Sequence, residues 1–229
     1  MIPPTIHQSI EHIRAIVKEI LVEAEPGHDW LHVERVWHNA LLIMDDDSNV
    51  NRDIVELAVV LHDIADSKFN DGDEDIGPEK ARKIMIDQGI DHKTVKDVIQ
   101  IIQCMSFKNS FDSHPYSSIE LHVVQDADKL DAIGAVGIAR AFTFGGHFGR
   151  RLYDVNVPVV EFKNKEEYKK YIGTTINHFY EKLLKLSGMM KTDKGKDMAL
   201  QRHDFMLGFL DQFSLEIGQN TIIHPDDDL

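Results

Sequence analysis

When wound as a helix, the run Ile54–Ala65 is apolar nearly all round; Glu56, His62 and Asp63 are its polar interruptions. A helix without a solvent face belongs at the centre of a packed helical domain. The run is too short to span a bilayer. His62 and Asp63 fall at its end, so an imidazole and a carboxylate stand side by side where the buried element stops.

The flanking sequence supplies helices to pack around it. Val33, Val36, Trp37, Ala40, Leu41 and Met44 recur at three- and four-residue steps, the pattern of a helix with one buried face. Pro78–Gln88 and Lys93–Met105 read as two more helices, separated by the stop signal at Gly89. Ile119–Ala141 reads as one long helix, with Gly134 and Gly137 allowing close packing or a bend. Lys165–Lys185 and Lys196–Phe213 complete the set. Val155–Val160 is a weak strand candidate, and Pro158 favours an extended loop there. Asp66–Gly77, Asn109–Ser118 and Gly145–Pro158 read as loops, and the end HPDDDL as a frayed tail. The expected fold is all-α, with 1–229 as one domain and 144–229 as a flap or small helical subdomain.

Composition narrows the function. A chain of 229 residues with 42% hydrophobic residues can bury a full core. Its formal net charge of -14 repels nucleic-acid backbones. An anionic substrate would need positive charge supplied locally. The single cysteine, Cys104, excludes an intrachain disulfide and fits a reducing compartment. The start MIPPTIHQSI lacks the basic segment and apolar run of a signal peptide. The expectation is a cytoplasmic protein without membrane or nucleic-acid partners, with a homodimer as an option.

Four residues stand out together: His32, His62, Asp63 and Asp128. Imidazole and carboxylate in combination suit Mn²⁺, Fe²⁺, Ni²⁺, Zn²⁺ or Mg²⁺. Neighbouring residues on a helix diverge by about 100°. His62 and Asp63 can still reach one ion if it sits off the helix end, with His32 and Asp128 arriving from other helices. A water in an open coordination position would be acidified towards hydroxide. DADKLDAIG offers three carboxylates, Asp126, Asp128 and Asp131.

The blocks GHDWLHVERVW, VVLHDIAD and VVQDADKLDAIGA occur in this order, each on an expected helix. Together they resemble the HD-domain phosphohydrolases, all-helical bundles around a buried metal. The segments AFTFGG, GRRLYD, NHFYEKLLKL and TDKGKDMALQRHDFMLGFL extend the resemblance over nearly the whole chain. They are similar to a small bacterial subfamily that includes Mn²⁺-using nucleotide pyrophosphohydrolases. The resemblance selects Asp128 as the fourth ligand, in a mononuclear site that is expected to hold Mn²⁺. Asp131, one turn on, would then support a ligand, and Asp126 would be a solvated helix charge.

It also implies that Asp66 orients the attacking water or shuttles its proton, with Lys68 as a catalytic cation in the same loop. His28, Arg35, Lys108, Lys129, Arg150 and Arg151 are candidates for holding substrate phosphate, by charge and in part by family pattern. Surface roles are expected for His92, His114 and His122. Gly145, Gly146 and Gly149 match no phosphate-binding loop and read as a flexible turn or a flap. The expected reaction is hydrolysis of a nucleoside triphosphate to monophosphate and pyrophosphate. Phosphomonoester hydrolysis of nucleoside monophosphates is the alternative enzyme. A non-catalytic nucleotide-binding module is the alternative class, and a di-iron oxygenase would require a second metal.

Overall fold

The computed structural model describes residues 5–24, 27–45, 49–64, 76–105, 116–161, 171 and 173–219. No β-strand occurs among the described residues. The all-α expectation therefore holds, and Val155–Val160 begins as a turn, closed by the Val157 amide on Asp154 O at 3.1 Å, and continues without sheet pairing. None of the described helices is long and apolar enough to cross a membrane.

By their internal contacts, the residues fall into two compact units. The first comprises residues 1–131 with 191–195, and the second 132–190 with 196–229. In the first unit the helices are α1 (Ile6–Ile20), α2 (Trp30–Met44), α3 (Arg52–Leu61), α4 (Ile76–Asp87), α5 (His92–Met105) and α6 (Ile119–Asp131).

Local signals fix their starts. Thr5 and Gln8 form a reciprocal cap on α1, and Asn51 Oδ1 accepts from the Ile54 amide at the head of α3. Asp29 caps α2 by accepting from the His32 amide at 2.9 Å. As the sequence requires, α3 is central: it lies against α1, α2, α5 and α6, and Val55, Leu57, Ala58, Val59 and Leu61 are fully buried. Glu56 is buried too, and it accepts from Arg52 Nε at 2.7 Å. Asn39 Nδ2 donates to Ala127 O at 3.1 Å and ties α2 to α6.

Two expectations are corrected in this unit. Asp126 is not a solvated charge: its side chain is fully buried. It accepts from the Lys191 amide at 2.8 Å, the Thr192 amide at 2.7 Å and the Thr192 hydroxyl at 2.9 Å. This carboxylate thus fixes the 191–195 segment on α6. The long helix expected over Ile119–Ala141 is broken after Asp131 and restarts at Gly134, whose φ is +74°. Few other residues tolerate that conformation.

The second unit contains α7 (Gly134–His147), a helical stretch over 175–189 and α8, which runs Asp193–Glu216 from its start in the first unit. The stretch over 175–189 passes through a π-helical turn at Phe179–Leu183 and a 3-10 turn at Leu184–Met189. Phe142, Phe179 and Phe209 form its aromatic core, with ring centroids 5.8–6.0 Å apart. Gly145 and Gly146 are not in a loop: they belong to α7. Gly145 is buried, and Thr175 approaches so closely that a Cβ there would lie 2.2 Å from its Oγ1.

Replacing Asp126 with alanine leaves two part-buried amides short of an acceptor. We expect a loss on the order of 3 kcal/mol in urea denaturation. A change within about 0.5 kcal/mol would show that Asp126 is not a structural anchor.

Candidate metal centre

The site begins where α3 ends. The last carbonyls of a helix lack intrahelical donors, and His62 Nδ1 donates to one of them, Val59 O, at 2.7 Å. A carbonyl only accepts, so Nδ1 carries hydrogen and the neutral ring presents a lone pair at Nε2. That Nε2 is buried and makes no hydrogen bond.

His32, near the start of α2, is oriented in the same way by a different partner. Its Nδ1 lies 2.8 Å from Asp131 Oδ2, at the end of α6. Its Nε2 lies 3.4 Å from Asp63 Oδ2 and 3.6 Å from Asp128 Oδ1. His62 Nε2 is 3.6 Å from the same Asp63 oxygen and 4.0 Å from the same Asp128 oxygen. Two nitrogens and two oxygens thus alternate around a ring whose sides are 3.4–4.0 Å. Ligands at about 2.1 Å from one ion stand roughly 3.0–3.5 Å apart. His32, His62 and Asp128 already lie within ligand range of one another, and drawing Asp63 towards Asp128 would bring all four onto a common ion. The buried, unpartnered Nε2 of His62 is the atom such an ion would satisfy. On both grounds the donor set fits a divalent metal.

Charge within the cluster points the same way. Burial pushes His32 down, but its hydrogen bonds to Asp131 and Asp63 and the charges of Asp128 and Asp63 outweigh it, raising the imidazole to about 9. Burial pushes Asp63 up, yet the charge of His62 and the hydrogen bonds from His28 and His32 hold it well below the usual carboxylate range. The surroundings favour positive charge among these oxygens, carried by protons or by an ion.

The other expected site residues are distributed unevenly. His28 Nδ1 lies 2.6 Å from Asp63 Oδ2, which brings it into the cluster; His28, His32 and Asp63 form one group that could hold an ion, His32, His62 and Asp128 another, and the two share His32. Arg35 spends its guanidinium on Asp131, with Nε 2.6 Å from Oδ1 and a terminal nitrogen 3.1 Å from Oδ2. Lys129 has its Nζ 3.7 Å from Asp126, and burial pushes it below the usual lysine value. Arg150 and Arg151 belong to the second unit, where Arg150 sits 5.3 Å from the Phe144 ring centroid and Arg151 pairs with Asp154. Asp66, Lys68, Lys108 and His114 lie outside the described residues. Sequence reasoning missed the Val59 carbonyl. Its signal was His62 itself, a donor placed one residue past a helix whose final carbonyls need one.

A pH dependence follows for metal-stripped protein. The His32 pKa is raised from 6.5 to about 9 on folding, so its contribution to stability is complete below about pH 6.5 and is lost as pH rises through about 9. Stability in chelator, read by urea denaturation, should fall by up to a few kcal/mol over that window, and His32→Gln should flatten the profile. Stability that is constant or rising from pH 6.5 to 9 in the unsubstituted protein would contradict this balance.

Comparison with known proteins agrees with the geometry. The HD domain family matches residues 30–133, which span α2 to just past α6 and contain all four ring residues. The YpgQ protein of Bacillus subtilis, itself uncharacterized, is 39% identical over 209 residues, covering 90% of this chain and 93% of that one. A crystal structure of an HD-superfamily hydrolase from Bacillus thuringiensis is 36% identical with a TM-score of 0.75, covering 93% of this chain and 99% of its own. YpgQ has also been solved in complex with ADP, and that structure aligns at 36% identity with a TM-score of 0.72, covering 93% of this chain and 97% of that one. With a family match centred on the histidine and carboxylate ring, and relatives alike over nearly their full length, this chain belongs to the HD-domain family and is a metal-dependent phosphohydrolase of the HD superfamily.

Proposed function

We propose that the chain hydrolyses a phosphate bond in a nucleotide, taking a nucleoside triphosphate and water to a monophosphate and pyrophosphate. The observation that carries the reading is the convergence of His32, His62, Asp63 and Asp128, with His62 Nε2 buried and unpartnered. Nucleotide as the substrate class is supported by the ADP complex of the similar YpgQ.

These four residues would hold one divalent ion, Mn²⁺ in our reading. When bound, the ion supplies Lewis-acid charge and a nucleophile at neutral pH. The chain's own groups do the rest. Asp131 and the Val59 carbonyl hold the two imidazoles with Nε2 directed inward. His28 fixes the shared oxygen of Asp63. In a chain so acidic, substrate phosphate must meet cations at the site itself; we assign Lys68 and Lys108 to that task, and not Lys129, which pairs with Asp126. Asp66 would accept the proton of the attacking water. Arg35 is not given a phosphate role, because its Nε and one terminal nitrogen are spent on Asp131.

The test is a panel of nucleoside tri-, di- and monophosphates incubated with Mn²⁺-loaded protein, with pyrophosphate and phosphate quantified separately. Pyrophosphate should form from triphosphates, and Asp63→Ala should lower the rate by at least about 10³-fold. Free phosphate from monophosphates would replace this reading with a phosphomonoesterase. Silence across the panel, with metal content confirmed, would remove the nucleotide assignment.

A further inference from the structure

Asp131 is nearly sealed from solvent and meets the ring at His32. Its carboxylate is shared. Oδ2 takes His32 Nδ1 at 2.8 Å and a terminal Arg35 nitrogen at 3.1 Å, while Oδ1 takes Arg35 Nε at 2.6 Å. His32 and Arg35 are three residues apart on α2, so both reach α6 from one helix face. A guanidinium only donates, and it requires acceptors at both carboxylate positions. The oxygen facing His32 is thereby fixed as an acceptor, which keeps the hydrogen on Nδ1 and leaves Nε2 as the nitrogen that gives up its proton to a metal.

We propose that Arg35 and Asp131 act together as a positioning pair that locks the His32 tautomer competent for metal binding. This deepens the metal-centre reading and rests on it. Arg35 contributes by dictating how the group at position 131 is oriented. Its effect on the reaction passes through His32 and not through substrate phosphate.

The consequence is an unusual double substitution. In Asp131→Asn, one oxygen becomes an amide donor. Turned towards Arg35 Nε, the amide opposes a donor at the 2.6 Å contact; turned the other way, it opposes only the 3.1 Å contact and faces His32. The second orientation is less repulsive. It makes Nδ1 an acceptor, moves the hydrogen to Nε2 and blocks the metal position, a tautomer error of the kind seen when a buried triad aspartate is replaced by asparagine. Removing Arg35 as well frees the amide to turn its oxygen back to His32.

The experiment measures Mn²⁺ affinity by calorimetry for the wild type, Asp131→Asn, Arg35→Met and the double variant, with thermal melting as a folding control. Asp131→Asn should bind about 10–100-fold more weakly. Arg35→Met, which keeps the carboxylate, should lose less. The double variant should bind more tightly than Asp131→Asn alone, which simple structural damage would not produce. Nitrogen-15 spectra of Zn²⁺-loaded protein should show His32 protonated at Nδ1 in the wild type. Wild-type affinity in Asp131→Asn, or no recovery in the double variant, would overturn the proposal. So would Arg35→Met raising KM for nucleotide tenfold at unchanged metal affinity, since that marks a phosphate clamp. Because the readout is metal binding, absent nucleotide turnover would defeat the substrate reading and leave this test intact. A wild type that takes up no divalent ion would defeat the metal centre and this inference together.

Discussion

Asp63 holds one carboxylate oxygen within 2.6 Å of His28, 3.4 Å of His32 and 3.6 Å of His62. Three imidazoles on one oxygen cannot all be spectators. The oxygen sits just past α3, the helix with the fewest routes to solvent, so its charge must be met by neighbours or by an ion. The position of the oxygen follows from the end of α3. Burial of Val55 through Leu61 sets the depth of that helix, and the hydrogen bond from His62 to Val59 sets how its end is turned. The remaining site residues are arranged around that point.

The ligand ring draws on three helices, and each is pinned by an interaction away from the ring. Asp29 caps α2 by binding the His32 amide, so the same residue that offers Nε2 to the site is also held by its backbone. Asn39 ties α2 to α6 one carbonyl before Asp128. Asp126 anchors the opposite side of α6 to the 191–195 segment. Asp126, Asp128 and Asp131 thus divide three tasks among three nearly adjacent carboxylates: a buried structural anchor, a ring member whose side chain is 39% exposed, and a buried partner for His32 and Arg35. A site open at Asp128 and closed at Asp131 can admit substrate on one side while its histidines stay fixed on the other.

The sequence was informative where a signal was local and periodic. The apolar run over 54–65 marked the central helix, and the step pattern of α2 marked the face on which His32 lies. The order of the three motif blocks brought His32, His62, Asp63 and Asp128 together as candidates. It failed where the deciding partner was remote. Nothing near Asp126 indicates burial, because its donors lie 65 and 66 residues further along the chain. Arg35 was read as a phosphate clamp because its spacing from His32 is right for a shared site; the same spacing delivers it to Asp131. Gly134 was legible as a place where a long helix could bend, but the positive φ that stops α6 and starts α7 there was not. Asp66, Lys68 and Lys108 fall outside the described residues, so their roles rest on the resemblance and on the chemistry of phosphate.

The central claim is that one ion sits among four named atoms. Crystals grown with Mn²⁺ and measured at its absorption edge would locate it by anomalous scattering. The account predicts a single strong peak about 2.1–2.2 Å from His32 Nε2, His62 Nε2, Asp63 Oδ2 and Asp128 Oδ1. A peak bound by His28, His32 and Asp63 with His62 and Asp128 left aside, or no peak in this ring, would contradict it.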